Sequence, residues 1–309
     1  MTNFVGCKIL FALLLVCLLT TTLTASDYVL LSDYGSSARF IGLGGIEAGE
    51  NSAAALFENP AGLNKLTGLS LYAFQASFLN GEFPLTYLAT AIPSSIGTFA
   101  LGFGELKASN INFTTVDNNN EYAVDHTFSA KNAVYSLGYQ KSLSPNFSFG
   151  SSVTYYLQDF SSASGKGFNA DLGILFETEN TVISLHGKNV IPFLKVDYSN
   201  GQSESLPLQM ILSGQRKFGD FTAFGQLKMQ SLGLRYLKSI ALQYSPSLFF
   251  HRISFTSAYK EIYVVNQSHN NVALGLNLDL NPLGFSVAYE HSDYIEMDSQ
   301  LYFSSHLNF

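Results

Sequence analysis

Along most of the chain apolar and polar residues alternate one by one. In "NVALGLNLDL" the side chains of Val272, Leu274, Leu276, Leu278 and Leu280 share one face, and Ala273, Gly275, Asn277 and Asp279 share the other. "GFNADLGILF" repeats the pattern, with Phe168, Ala170, Leu172, Ile174 and Phe176 set against Asn169, Asp171 and Gly173. A period of two is the repeat of a strand whose faces meet different surroundings. Followed along the sequence, it predicts strands at 69–78, 84–92, 97–107, 128–140, 147–159, 168–177, 181–188, 206–217, 221–230, 236–245, 250–260, 271–280, 284–294 and 300–309. That is about fourteen strands, each near the 9–11 residues that cross a bilayer at a tilt.

The connections alternate in character. Short, turn-rich ones occur at Pro93, Lys141, Thr178, Phe218, Ser245 and Asn281, while 108–127 and 189–205 read as long polar loops. Short turns on one side and long loops on the other are the division found in a transmembrane barrel. A soluble β-sandwich also alternates, but here the polar faces consist of Ser, Gly, Asn, Gln and Ala. Such faces would be poorly solvated outside and suit a filled lumen. Tyr155, Tyr156, Phe160, Tyr236, Tyr244, Tyr259, Tyr289 and Tyr294 gather near strand ends, where rings with a wet tip favour the bilayer boundary. The expected fold is all-β: a transmembrane antiparallel β-barrel of about fourteen strands over 67–309.

Composition strengthens this reading. The chain is 47% hydrophobic and 13% charged, against roughly 25% charge in soluble domains. Residues 1–25 carry one lysine, an apolar core and a Thr-rich end, the layout of a secretory signal peptide. Val16 precedes Cys17 where a lipoprotein would have a small residue. Both cysteines, Cys7 and Cys17, fall in this leader. Without Lys8 the basic count falls from 16 to 15 against 23 acids, a net charge of −8, which argues against a nucleic-acid partner.

Between leader and barrel, 26–66 is rich in Gly and Ala. Asn51 or Ser52 caps a predicted short helix through Phe57, Pro60 stops it, and Gly62 permits the turn. Ser37-Ala38-Arg39, Gly42-Leu43-Gly44-Gly45 and Asn59-Pro60-Ala61-Gly62-Leu63 resemble the N-terminal signature of FadL-like outer-membrane proteins, nearest their PorV/PorQ branch. Glu58 stands where that branch commonly has an aromatic. The resemblance implies a 14-stranded barrel with an N-terminal hatch, in the outer membrane of a diderm bacterium. It implies either passage of hydrophobic small molecules or service in a type IX-like protein secretion or outer-membrane assembly system. Its partners would then be membrane lipid with hydrophobic small molecules, or secreted proteins and secretion-system subunits. On this basis Arg39, Gly44, Gly45, Asn59, Pro60, Ala61 and Gly62 are the candidate hatch residues, for ligand binding or gating. A permanent plug that only packs the lumen is the alternative.

Strand parity turns Asn169, Asp171, Ser184, His186, Gln209, Gln226, Lys228, Asn277, Asp279 and Glu290 inward. No catalytic residues are expected. "GLGG" at Gly42 lacks the βαβ setting of a phosphate loop, the six histidines lack metal-ligand spacing, and no G-x-S-x-G is present. The chain is therefore read as a non-enzyme without cofactor or metal.

Overall fold

The computed structural model describes residues 30–309 apart from 49, 79–80, 117–120, 232–234, 250–251, 265–266 and 295–298. The leader expected over 1–25, with both cysteines, lies outside the described residues. Period-two sequence becomes strand at every predicted place: β1 (Ser70–Phe78), β2 (Phe83–Ser94), β3 (Gly97–Val116), β4 (Tyr122–Ser144), β5 (Phe147–Phe160), β6 (Ala163–Glu177), β7 (Thr181–Lys188), β8 (Lys195–Tyr198), β9 (Ser203–Ser205), β10 (Gln209–Phe218), β11 (Phe221–Gln230), β12 (Arg235–Tyr244), β13 (Ile253–Val264), β14 (Gln267–Asp279), β15 (Leu283–Ser292) and β16 (Gln300–Asn308). β1 to β7 and β10 to β16 pair antiparallel in chain order, and β1 pairs with β16, Ser70 opposite Asn308. The result is a closed 14-stranded barrel.

Outside, large apolar side chains occupy alternate positions on each stave. In one ladder row Leu101 of β3 faces Leu137 of β4, which faces Val153 of β5. Leu101 is 58% exposed, Leu137 56% and Leu274 52%, a surface that is stable against hydrocarbon rather than water. Inside, the opposite parity supplies Ser136, Thr154, Ser184, Ser213, Ser254 and Thr256, all buried. Tyr155 lies outside as expected of a boundary ring. Tyr156 does not: consecutive residues on a strand point oppositely, so its ring enters the lumen and its hydroxyl donates to Asn189 Oδ1 at 2.8 Å.

The two predicted loops are corrected. β3 and β4 run on together to Val116 and Tyr122 through register shifts near Asn110 and Thr114, forming a two-stranded hairpin beyond the ends of β2 and β5. Away from lipid both of its faces meet water, so the apolar half of the alternation disappears although the backbone ladder continues. Likewise 189–205 contains β8 and β9. β8 resumes on β6 where β7 leaves it, with Gly165 opposite Tyr198, and β9 pairs with β8. The break at 189–194 begins at Asn189, whose φ is +55°.

Residues 30–66 fill the barrel as four short turns rather than one helix. These are 3₁₀ turns at Leu31–Tyr34, Ala53–Leu56 and Pro60–Lys65, and a single α-helical turn, α1 (Ala38–Gly42). Side chains set the starts: Ser37, Ser52 and Asn59 accept from the backbone N–H of Phe40, Ala54 and Ala61. Pro60 therefore opens a turn instead of merely stopping one, as suits a residue with no N–H to satisfy at a helix start. Gly62 is not in the left-handed region. Gly44 and Gly45 are, at φ +67° and +76°, and they turn the chain after α1.

Leu274→Arg should destabilise the barrel by about 2–4 kcal/mol, the range for a cation on the lipid face near the midplane. Asn112→Arg, on the projecting hairpin, should change stability by less than about 0.5 kcal/mol. Urea unfolding in lipid vesicles checks both; equal effects would contradict the assignment of the two surfaces.

Candidate functional site: the hatch and the lumen wall around it

Apolar packing seats one side of the hatch. Ala53, Ala54, Ala55, Leu56 and Leu63 join Phe74, Leu85, Tyr87 and Val134 of the wall in one buried cluster, with the Phe57 and Tyr87 rings 4.7 Å apart. Around the Asn59-Pro60-Ala61-Gly62 turn, the wall backbone is met at close range by the turn's backbone and by the Asn59 side chain. A Cβ on Gly150 would stand 2.2 Å from the Ala61 nitrogen, and one on Gly173 would stand 2.0 Å from Asn59 Oδ1. These glycines are notches in the wall, and they explain why β5 and β6 carry Gly at those inward positions. Polar bonds tie the hatch to the closing seam: Ala38 N–H donates to Ser304 Oγ at 3.3 Å, Ala53 N–H to Ser70 Oγ at 3.0 Å, and Asn308 Nδ2 to the Asn51 carbonyl at 3.2 Å.

Charge holds the opposite side. Glu47, on the irregular segment after α1, is buried with its carboxylate 2.7 Å from His186 Nδ1 and 3.0 Å from Lys188 Nζ on β7. Lys188 Nζ also donates to the Phe57 carbonyl at 3.2 Å. Gln226 on β11 clasps the same segment from both ends of its amide, donating to the Gly45 carbonyl at 2.7 Å and accepting from Glu47 N–H at 3.0 Å. Below the usual carboxylate range, Glu47 lies at about 2: burial pushes it up, but the Lys188 and His186 charges outweigh burial. Asp33 receives Lys228 Nζ at 2.6 Å and Gln209 Nε2 at 3.1 Å.

A second hatch cluster has the opposite character. Ser37 Oγ donates to Glu58 at 3.0 Å and lies 3.4 Å from Glu50, and Ser52 Oγ donates to Glu50 at 2.6 Å. Burial pushes the Glu58 carboxyl well above its usual range, and the Glu50 charge pushes it further.

The structure thus brings His186, Gln226 and Lys228 together on one wall against the hatch. Asn169 supports the neighbouring strand break, donating to the Ile191 carbonyl at 3.1 Å and accepting from Ile191 N–H. Asp171 accepts from Asn189 N–H at 2.8 Å. Glu290 stands apart, paired with Lys260 at 2.8 Å and bonded to Asn271. Asp279 has inward parity but ends β14 at the rim, exposed, where it accepts from Asn281 N–H at 3.2 Å, so it is a turn residue and not a lumen one. Arg39 lies on α1 at the lower mouth, and Gly44 packs on Ala258. Sequence parity missed Glu47 and Asp33, the hatch partners, because irregular backbone carries no period to read.

Two cavities adjoin this wall. The upper, about 30 Å³, is bounded by Leu31, Phe57, Tyr87 and Tyr156 on its apolar side and by Asp171, Lys188 and Asn189 on its polar side. It has room for about two waters, far below the ~150 Å³ that a benzene-sized molecule needs. The lower, about 260 Å³, opens among Arg39, Glu177, Thr181, Val182, Gln215 and Phe224 beside the short turns.

No family model matches the chain, and no curated protein matches it by sequence. Solved structures share its fold. A deltaS2S3 mutant of TodX, a monoaromatic hydrocarbon channel, has a TM-score of 0.62 at 13% identity over 89% of this chain and 99% of that one. TodX of Pseudomonas putida, a toluene transporter, gives 0.60 at 13% over 93% and 100%. A FadL homologue from Pseudomonas aeruginosa gives 0.52 at 12% over 89% and 98%. The barrel with its N-terminal insert is therefore of the FadL type in fold.

Gly150→Ala should unseat the hatch at a loss of about 1–3 kcal/mol, because the added Cβ meets backbone rather than a movable side chain. Protease cleavage within 37–66 should then rise while the barrel itself stays resistant. The two carboxyls predict opposite limbs of a melting profile. Glu47, at about 2 against an ordinary 4.5, contributes stability that is complete above the ordinary value and is lost as pH falls toward 2. Glu58, raised from 4.5, favours the folded state at low pH, and that contribution is lost as pH rises through its folded value. Glu47→Gln should flatten the acid limb and Glu58→Gln the alkaline limb, measured by thermal melting in detergent.

Proposed function

We propose that this protein is an outer-membrane channel of a diderm bacterium through which hydrophobic small molecules pass, with residues 37–66 as a gate and with no enzymatic activity. The observation that carries this reading is the mismatch between a barrel of fourteen staves and the room left in it. A cavity of only about 30 Å³ lies beside the hatch in the upper lumen, yet on that side the hatch meets β7, β10 and β11 chiefly through a handful of polar bonds, with apolar packing confined to the level of Phe224 and Val182. A filler selected only for packing would have no use for a buried Glu47 facing His186 and Lys188, since matched apolar groups serve as well or better. The fold shared with TodX and a FadL homologue supports a hydrophobic cargo, and membrane lipid is the partner of the outer surface.

A second reading, a PorV/PorQ-like component of protein secretion or assembly, draws on the N-terminal residues and on one structural feature. Among the described residues, the β3–β4 hairpin beyond the barrel has unpaired edges on both sides and exposes Phe113, Val116, Tyr122 and Val124. Such edges accept strands of other chains.

Deleting 37–66 should leave a folded barrel, shown by heat-modifiable mobility, that passes toluene into proteoliposomes faster than the intact protein does. Cells without the gene should take up labelled hydrophobic compounds more slowly. Unchanged uptake across a panel, with exported proteins recovered on the purified barrel, would favour the secretion reading instead.

A further inference from the structure

The two cavities lie on the same side of the hatch, and strand register sets what stands between them. Lys188 on β7 borders the upper cavity, and Val182 on the same strand borders the lower. Six residues apart, they are separated by roughly 20 Å of strand. The intervening inward rows are His186, Ile211 and Lys228, then Ser184, Ser213 and Gln226; the row below, Val182, Gln215 and Phe224, already lines the lower cavity. Ser184 and Ser213 hydrogen-bond at 2.8 Å. The stripe is polar except for Ile211.

The hatch turns pack elsewhere. α1 rests on β13 to β16, and the 3₁₀ turns on β1 to β6. Toward β7, β10 and β11 the hatch presents Gly45, Glu47, Asp33 and the Phe57 carbonyl through hydrogen bonds and ion pairs, with apolar packing below, where Leu43, Ile46 and Ala48 share a buried cluster with Phe224 and Ala61 shares one with Val182. Among the described residues, His186 Nε2 is buried without a hydrogen-bond partner while Nδ1 meets Glu47. That nitrogen is polar capacity in the stripe which the docked hatch does not use.

We propose that the two cavities are the ends of one passage between the hatch and the β7–β10–β11 wall, and that Glu47, held by His186 and Lys188, is the side chain that bars it. This deepens the channel reading and rests on it for its biological meaning. Loss of the Glu47 charge leaves two buried basic groups without their anion, so the segment 43–48 parts from this wall while the turns on β1 to β6 and β13 to β16 stay seated. Opening is thus one-sided.

The test uses the processed chain with a single reporter, Ser213→Cys, reacted with a charged methanethiosulfonate in detergent. Labelling should be slow with Glu47 present and about ten-fold faster or more with Glu47→Gln. Tyr72→Phe removes the hatch–wall bond from Tyr72 OH to the Ser36 carbonyl on the far sector, and should leave the rate unchanged. No acceleration with Glu47→Gln, or equal acceleration with Tyr72→Phe, overturns the proposal. Heat-modifiable mobility checks folding of each variant. Should Glu47→Gln not fold, Glu47→Cys with His186→Cys, bridged by a short bifunctional thiol reagent that a reductant releases, tests the reverse: bridging should stop toluene passage and reduction restore it, and passage indifferent to the bridge overturns the gate. Faster labelling with no toluene passage in any variant keeps the gate and sinks the channel reading.

Discussion

Hydrocarbon offers no hydrogen bonds, so a chain with this exterior must satisfy every backbone N–H and C=O within its own sheet. Closure follows, and with it the pairing of Ser70 with Asn308 across the seam. Fourteen staves enclose more room than their own side chains fill, because many of the inward positions are Ser, Thr, Ala or Gly. The hatch is the answer to that surplus. Small wall residues then become a requirement, since Gly150 receives the Pro60–Ala61 backbone and Gly173 the Asn59 side chain.

Placing charges in such an interior has a physical condition attached. Buried ions are costly unless matched, and here the matches cross from wall to hatch: Lys188 and His186 to Glu47, Lys228 to Asp33. The pairs add little to stability that apolar residues would not supply. What they add is direction, because an ion pair holds a segment at one point and can be released there, whereas the Leu56 and Leu63 packing is spread over several strands. Hatch and wall therefore meet in two kinds of contact, and the difference between them is carried by which staves each faces.

The sequence made the barrel legible because lipid and lumen impose opposite demands on alternate residues. β7 and β11 match their expected bounds to the residue. Parity also turned His186, Gln226 and Lys228 into the lumen, and the pairing of β7, β10 and β11 is what groups them on one wall. Where both faces meet water, as along 108–127 of the β3–β4 hairpin, the signal vanished though the strands did not, and β8 and β9, at four and three residues, are too short to show a period although Val196 is buried. Parity alone could not tell that Asp279 lies past the lumen at the rim, and a strand-end rule misplaced Tyr156 because it ignored which way the ring points. In the hatch, single caps were readable at Ser52, but the identity of Glu47 as the partner of His186 depends on a fold-back across 139 residues that no local pattern records.

The seam itself carries a further consequence. Ser70 on the first stave and Ser304 and Asn308 on the last each bond to the hatch backbone. The backbone of these staves closes the sheet while the side chains of Ser70, Ser304 and Asn308 hold the segment that precedes it, so the same residues serve closure and docking through different atoms. The insert thus spans the join between first and last staves from within, a brace laid across the seam beside the ladder that closes it.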